Sequence, residues 1–296
     1  MHRRFAYGYV GAFMLVAGGA LGQAKPPGAP PPSAPEARIA RQSATPQIAL
    51  SPALVQKLAS TDPEQLRSGL DEVRLAGKGA ARAVPAIVAQ LERGLPYTVA
   101  QAALDTLGDI EVEAASPVIA WYVRHRDLEV RRAAAKALTH TKGAIAANAL
   151  RVALSDEDPM VRGTAATGLG AMKAKEAVND LFVALDHHVN EAAGSIGQLC
   201  NPTECDALAA RIGKVPFDVM TSGLDPILFR PKAEVSDDAK VKLVGRIREL
   251  GTGEANKFLR DVQKRWPAAW SPRIKQSIDQ GVLATAAAPG TATGAP

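Results

Sequence analysis

A period of 31 residues runs through the middle of this chain. Val99, Val130 and Val161 stand 31 apart, and so do Leu107, Leu138 and Leu169. Between them Ala102-Ala103, Ala133-Ala134 and Thr164-Ala165 fall in the same register. A shared period with shared residue types means one structural unit repeated. A unit this short cannot bury its apolar face alone, so copies must stack and cover one another.

Each unit reads as two helices. In residues 157–186, Asp158 is an N-cap whose carboxylate can accept from free backbone N–H groups, and Pro159 follows where its missing N–H costs nothing. Val161, Ala165 and Leu169 then lie on one helix face, and Gly170 lets that helix stop. A second helix is predicted from about Lys175 to Leu185, with Val178, Leu181, Phe182 and Leu185 inward. The same reading fits 127–154, 97–125 and Asp62 to Leu91. Second-helix positions also align: Ile87, Ile119, Leu150 and Leu181 form one series, and Leu91, Val123, Leu154 and Leu185 another. Composition agrees. Aromatics are 4% against 47% hydrophobic residues, a mix of small and aliphatic side chains that suits closely packed helices.

Two stretches carry a family resemblance: Asp158-Pro159-Met160-Val161-Arg162 with Ala165-Ala166 and Leu169-Gly170, and Asp127-Leu128-Glu129-Val130-Arg131 with Ala133-Ala134 and Ala137-Leu138. They resemble HEAT repeats, and more narrowly the short HEAT-like repeats of the bilin-lyase (PBS-lyase) type. The resemblance is strong over 62–186, degenerate over 187–213 and weak again at 237–266. It implies an all-α fold, an α-solenoid of the ARM/HEAT-like kind with about five to six stacked helical hairpins. It also implies a scaffold whose second helices line a concave face.

The flanks are of other kinds. His2, Arg3 and Arg4 precede an apolar stretch from Phe5 to about Leu21, and Gly22-Gln23-Ala24 supplies small residues for cleavage. Residues 1–24 therefore read as a signal peptide, with an uncleaved anchor over 5–22 as the alternative. Either places the body outside the cytoplasm, periplasmic or extracellular. Residues 25–46 are a Pro-rich linker, 47–213 the repeat array, 214–235 an irregular insert with three prolines that could be a capping helix with flanking loops or a lid on the solenoid edge, 236–284 a C-terminal helical arm and cap, and 285–296 a disordered tail.

Candidate sites are the residues that depart from the repeat. Trp121 and Tyr122 occupy second-helix positions held elsewhere by Ala89, Val152 and Val183, and by Gln90, Ala153 and Ala184. Large aromatics among small residues, followed by Arg124, His125 and Arg126, suggest a binding hot spot, with simple gap filling as the other reading. Cys200 and Cys205 are the only cysteines, and in an exported chain they suggest a disulfide. A zinc site adding His187 and His188 is disfavoured, because Cys-x4-Cys is wide and adjacent histidines diverge. Asp127 with Arg131, and Asp158 with Arg162, read as a cap plus a surface ion pair repeated along the stack. Lys257, Arg260 and Lys264 share one face of a basic C-terminal helix and could meet an anionic envelope component.

The formal charge of +5, or +3 without Arg3 and Arg4, is too mild to imply nucleic acid. There is no Gly-rich phosphate loop, His-Glu-x-x-His or Gly-x-Ser-x-Gly motif, so neither a cofactor nor a metal is expected. The expected function is a non-enzymatic exported scaffold that binds another protein. A membrane-surface or envelope-anion binder and an enzyme or enzyme subunit of bilin-lyase-like type stay open beside it.

Overall fold

Asp62, Asp127 and Asp158 each open a helix by accepting a backbone N–H, from Glu64, Val130 and Val161 respectively. In this computed structural model, which describes residues 49–286, such caps begin a series of helices with no strand among the described residues. The chain divides into two units, Met1–Ala44 and Thr45–Pro296, and all the described helices belong to the second. The expected signal peptide, its anchor alternative, the Pro-rich linker and nearly all of the expected tail lie outside the described residues.

The helices are α1 (Pro52–Leu58), α2 (Pro63–Ala76), α3 (Val84–Arg93), α4 (Tyr97–Ile110), α5 (Ser116–Tyr122), α6 (Leu128–Thr141), α7 (Gly143–Ala153) and α8 (Pro159–Ala171). They continue as α9 (Val178–Asp186), α10 (Glu191–Leu199), α11 (Pro202–Ala209), α12 (Phe217–Phe229), α13 (Asp237–Glu249), α14 (Gly253–Arg265) and α15 (Pro272–Ala286). After α1 they form seven successive pairs, even-numbered first helices and odd-numbered second helices. First helices pack on first helices from α2 through to α14, which makes one continuous layer. The second helices form the other layer. The fold is an α-solenoid of helical hairpins, with seven pairs where five to six were expected.

The period sets both core and turns. Val99, Val130, Val161, Leu107, Leu138 and Leu169 are all buried, as are both second-helix series. Each fully buried Leu or Ile contributes roughly 1.5–3 kcal/mol. The turn after α4, α6 and α8 repeats as well. Glu111, Lys142 and Lys173 all have positive φ near 60°, at the same 31-residue spacing.

The ion pairs correct the local reading. Asp127 and Asp158 are caps, but Arg131 does not pair with Asp127 four residues before it. Its guanidinium forks onto Asp156 of the next pair at 2.8 and 3.2 Å. Arg132 forks onto Asp158 in the same manner at 3.1 and 2.8 Å. Arg162 donates to the carbonyls of Asp156 and Glu157. Further links across neighbouring pairs join Arg151 to Asp180 and Arg211 to Asp186. The charges tie successive repeats together, which an i,i+4 rule confined to one helix cannot anticipate.

The stretch 214–235 holds a helix with flanking loops, one of its two expected forms, but continues the stack and is not inserted into it. Its centre is α12, which packs on α10 as the next member of the first-helix layer. The period breaks because α10 and α11 are short, nine and eight residues, so α12 starts 26 residues after α10 instead of 31 or 32. Pro226 lies inside α12 and removes the N–H that would bond the Ser222 carbonyl. The tail boundary shifts too. Helix α15 runs to Ala286, because Thr285 is buried and its hydroxyl accepts from Asn256 of α14 at 2.7 Å.

Asp158 gives a pH prediction. Arg132's guanidinium holds its carboxyl below the usual carboxylate range, aided by the Val161 N–H. A depressed folded value stabilises above the unfolded pKa, and that share is lost as pH falls through the folded value. Asp158→Asn should therefore be less stable than the wild type near neutral pH. The two should converge as acid unfolding is tracked from about pH 4 to about pH 2.

Candidate functional site

The two layers differ in closure. In the second-helix layer, α5 packs on α7, but α7, α9 and α11 touch each other only sparsely and are bridged by the Arg151–Asp180 and Arg211–Asp186 pairs. Grooves open along this face. One, of about 540 Å³, lies between α5 and α7 and is lined by Trp121, Arg124, Ile145, Asn148 and Val152. The next, about 430 Å³, lies between α7 and α9 against Leu154, Arg162, Val183 and His187. A third, about 580 Å³, lies between α9 and α11 with Asp186, His188, Arg211 and Lys214.

The first two grooves have apolar rims. Trp121 is 83% exposed, with Ile145 and Val152 exposed in the same groove and Val183 exposed in the next. A tryptophan left in water has an unsatisfied apolar surface that a partner could cover. Arg124 is exposed at the same rim.

Tyr122 is placed differently from Trp121. It is half-buried, and its hydroxyl donates to the Leu91 carbonyl at 2.7 Å, at the end of α3. Burial pushes its phenol pKa up. Gln90, the aligned residue one pair earlier, does the same to the Leu58 carbonyl at the end of α1, also at 2.7 Å. Tyr122 is therefore a tie between repeats, its hydroxyl sharing the Leu91 carbonyl with the Gly94 N–H that closes α3. His125 stacks on it, centroids 5.9 Å apart, and its Nδ1 accepts from the Asp127 N–H at 3.1 Å. The expected site thus separates into an outward pair, Trp121 and Arg124, and a structural pair, Tyr122 and His125. The exposed rim residues Ile145, Val152 and Val183 were missed, because a single aliphatic residue in a helix reads as core.

Cys200 and Cys205 are joined by a disulfide with Cα atoms 5.2 Å apart, fixing the turn between α10 and α11. Arg230 donates to the Cys200 carbonyl at 2.7 Å, which ties that turn to the end of α12. His187 and His188 lie exposed in separate grooves, and both cysteines are taken up in the disulfide. Among the described residues, no group of three or more His, Cys, Asp or Glu is placed to hold a metal ion. No described helix is long and apolar enough to cross a membrane. Lys257, Arg260 and Lys264 are exposed on α14 and make no ion pair among the described residues. Their neighbour Arg265 is held by Asp225 and Asp261.

Comparison with known proteins identifies the repeat. Residues 84–156 and 147–223 match the family described as HEAT repeats. No curated protein matches the chain. An archaeal HEAT-like repeats protein from Thermococcus onnurineus NA1 is 16% identical, over 81% of this chain and 98% of that one, with a TM-score of 0.47. The complex of CpcE and CpcF of phycocyanin lyase from Nostoc sp. PCC7120 is 19% identical, over 82% and 97%, at 0.43. A designed armadillo repeat protein in complex with the peptide (KR)4 is 15% identical, over 79% and 100%, at 0.41.

Proposed function

We propose that this chain, whose residues 84–156 and 147–223 match HEAT repeats, is an exported, non-enzymatic scaffold binding another protein through its second-helix face. The observation that carries this reading is Trp121, almost wholly exposed at the rim of an apolar groove. The face presents apolar grooves one helical pair apart, which for packed helices is about 8–10 Å. An extended chain covers that distance in about three residues. Arg124 and Arg162 lie along the grooves with no carboxylate partner among the described residues. They favour a partner segment with apolar side chains about that far apart and acidic residues between them.

The test is capture of the partner from the native envelope fraction with wild type, Trp121→Ala and Leu75→Ala. Leu75 is 89% exposed on α2, in the first-helix layer, and serves as the control. Trp121→Ala should weaken capture at least tenfold, the size of an aromatic hot spot. Its melting temperature should not move, since the ring packs on little. Equal loss in both variants, or none in Trp121→Ala, contradicts the reading.

A second reading rests on the exposed, unpaired cations Lys257, Arg260 and Lys264. They suit an anionic membrane surface or envelope polymer. Salt-sensitive binding to anionic vesicles, abolished by reversing the three charges, would favour it.

A further inference from the structure

A cavity of about 570 Å³ lies where the end of α12, the start of α13, the end of α14 and the start of α15 meet. Its size suits a small organic molecule. It is far from the second-helix grooves in sequence and shares no lining residue with them.

Lys240 of α13 lines this cavity and is only 2% exposed. A buried ammonium ordinarily has a carboxylate against it. Lys240 has none within ion-pair distance, and Asp237, the acid that lines the same cavity, pairs with Lys232 at 3.4 Å. The Lys240 Nζ donates to one acceptor, the Arg230 carbonyl, so two of its three N–H bonds have no protein acceptor among the described residues. The charge rests instead on aromatic faces, 5.2 Å from the Trp270 ring centre and 5.9 Å from that of Trp266. Arg230 cannot serve as its counter-charge and is itself taken up by Glu234 and the Cys200 carbonyl.

A second donor stands unmatched in the same wall. Trp266 is 8% exposed, and its Nε1–H is buried with no hydrogen-bond partner, alone in this among the described side chains. The two side chains with unsatisfied groups, Lys240 and Trp266, both line the cavity, both groups are donors, and one carries a full positive charge. An acceptor bearing negative charge would answer both. Around them the wall is aromatic and aliphatic, with Trp266 and Trp270 edge to face at 5.2 Å and Ile274 beside them.

We propose that this cavity binds an organic carboxylate, its oxygens accepting from Lys240 Nζ and Trp266 Nε1 and its apolar body lying against Trp270 and Ile274. The carboxylate could belong to a free small acid or to the C-terminus of a peptide. The two share the recognised group and differ in what is attached to it.

The experiment is calorimetric titration of the full chain with benzoate, which stands for a free acid, and with N-acetylphenylalanine, which stands for a chain terminus. Benzamide and N-acetylphenylalaninamide are the uncharged controls. Saturable binding of at least one carboxylate, with its amide at least tenfold weaker, supports the site, and the tighter of the two acids identifies the source. Lys240→Met keeps the length and packing of the side chain and should weaken the carboxylate at least tenfold. Trp266→Phe keeps a ring and loses only the donor, and should weaken it several-fold. Failure of both acids to bind, amides that bind as well as acids, or a Lys240→Met variant that binds normally would each overturn the proposal. Circular dichroism and the melting temperature of each variant separate lost binding from lost folding.

Discussion

Gly197→Ala is expected to destabilise the protein by about 3 kcal/mol and to split its unfolding into two steps. Gly197 in α10 faces Gly223 in α12 at backbone contact. A Cβ built on Gly197 would lie 2.1 Å from the Gly223 carbonyl oxygen and 2.7 Å from its Cα. A Cβ on Gly223 would lie 2.4 Å from the Ala193 carbonyl. No flexible side chain can yield there, so the two helices must move apart. In a stack where each pair touches only its neighbours, that separation weakens one interface and leaves the others whole. Residues 217–286 should then unfold at lower denaturant than the repeats before them. Circular dichroism across a urea titration would show two transitions in place of one. Gly194 is the internal control. It lies one turn earlier on α10, and its added Cβ would meet Ser222 at an ordinary 3.6 Å. Gly194→Ala should be neutral or stabilising by up to about 1 kcal/mol, through helix propensity alone. A single wild-type-like transition in Gly197→Ala would mean that the close approach is not required.

Lys240→Met should raise stability by about 1–2 kcal/mol at neutral pH, because it removes a buried charge without a carboxylate partner and keeps the volume. Burial pushes the Lys240 ammonium pKa down, Asp237 opposes it, and Arg230 adds to the downward push. The folded value therefore lies below the unfolded one. While both states hold the proton, the full cost of burying the charge is present. As pH rises through the folded value towards the ordinary lysine value, the folded protein releases the proton first and the cost disappears. The carboxylate nearest Lys240 in the cavity does not change its charge over this range. Asp237 is already ionised, since the Ser271 hydroxyl and Lys232 outweigh the opposing effect of burial. The advantage of the methionine variant should therefore be largest near pH 7 and shrink towards about pH 10. Thermal unfolding of both proteins across that range measures it. A gap that does not change with pH would mean that the ammonium is not the source of the difference. A cation retained against stability is what a ligand site would show.

Much of the central fold is legible in the sequence because the signals are local. A cap acts over three residues, so Asp127 and Asp158 mark helix starts wherever they occur. A period acts over one repeat, so the buried positions of four successive units can be aligned by counting. The disulfide joins the chain's two cysteines, which a short loop holds five residues apart. The same local rules mislead where the period changes. Three prolines made 214–235 look irregular, yet α12 forms there because α10 supplies a glycine face for it to pack against.

What the sequence alone determined is the unit and its repetition: two helices, capped and turned by residues a few positions apart, with an apolar stripe that forces stacking. What only the tertiary structure decided is everything that depends on which neighbour a side chain meets. Arg131 reaches Asp156 and not Asp127 because the next pair brings that carboxylate alongside. Tyr122 turns inward to the Leu91 carbonyl while Trp121, one residue before it, stands in solvent, since consecutive helix positions face about 100° apart. Lys240 is buried among tryptophans that lie 26 and 30 residues further along the chain, in a sequence where it reads as one more exposed cation. Spacing along the chain fixes what happens within a helix, and the relative placement of helices fixes the rest.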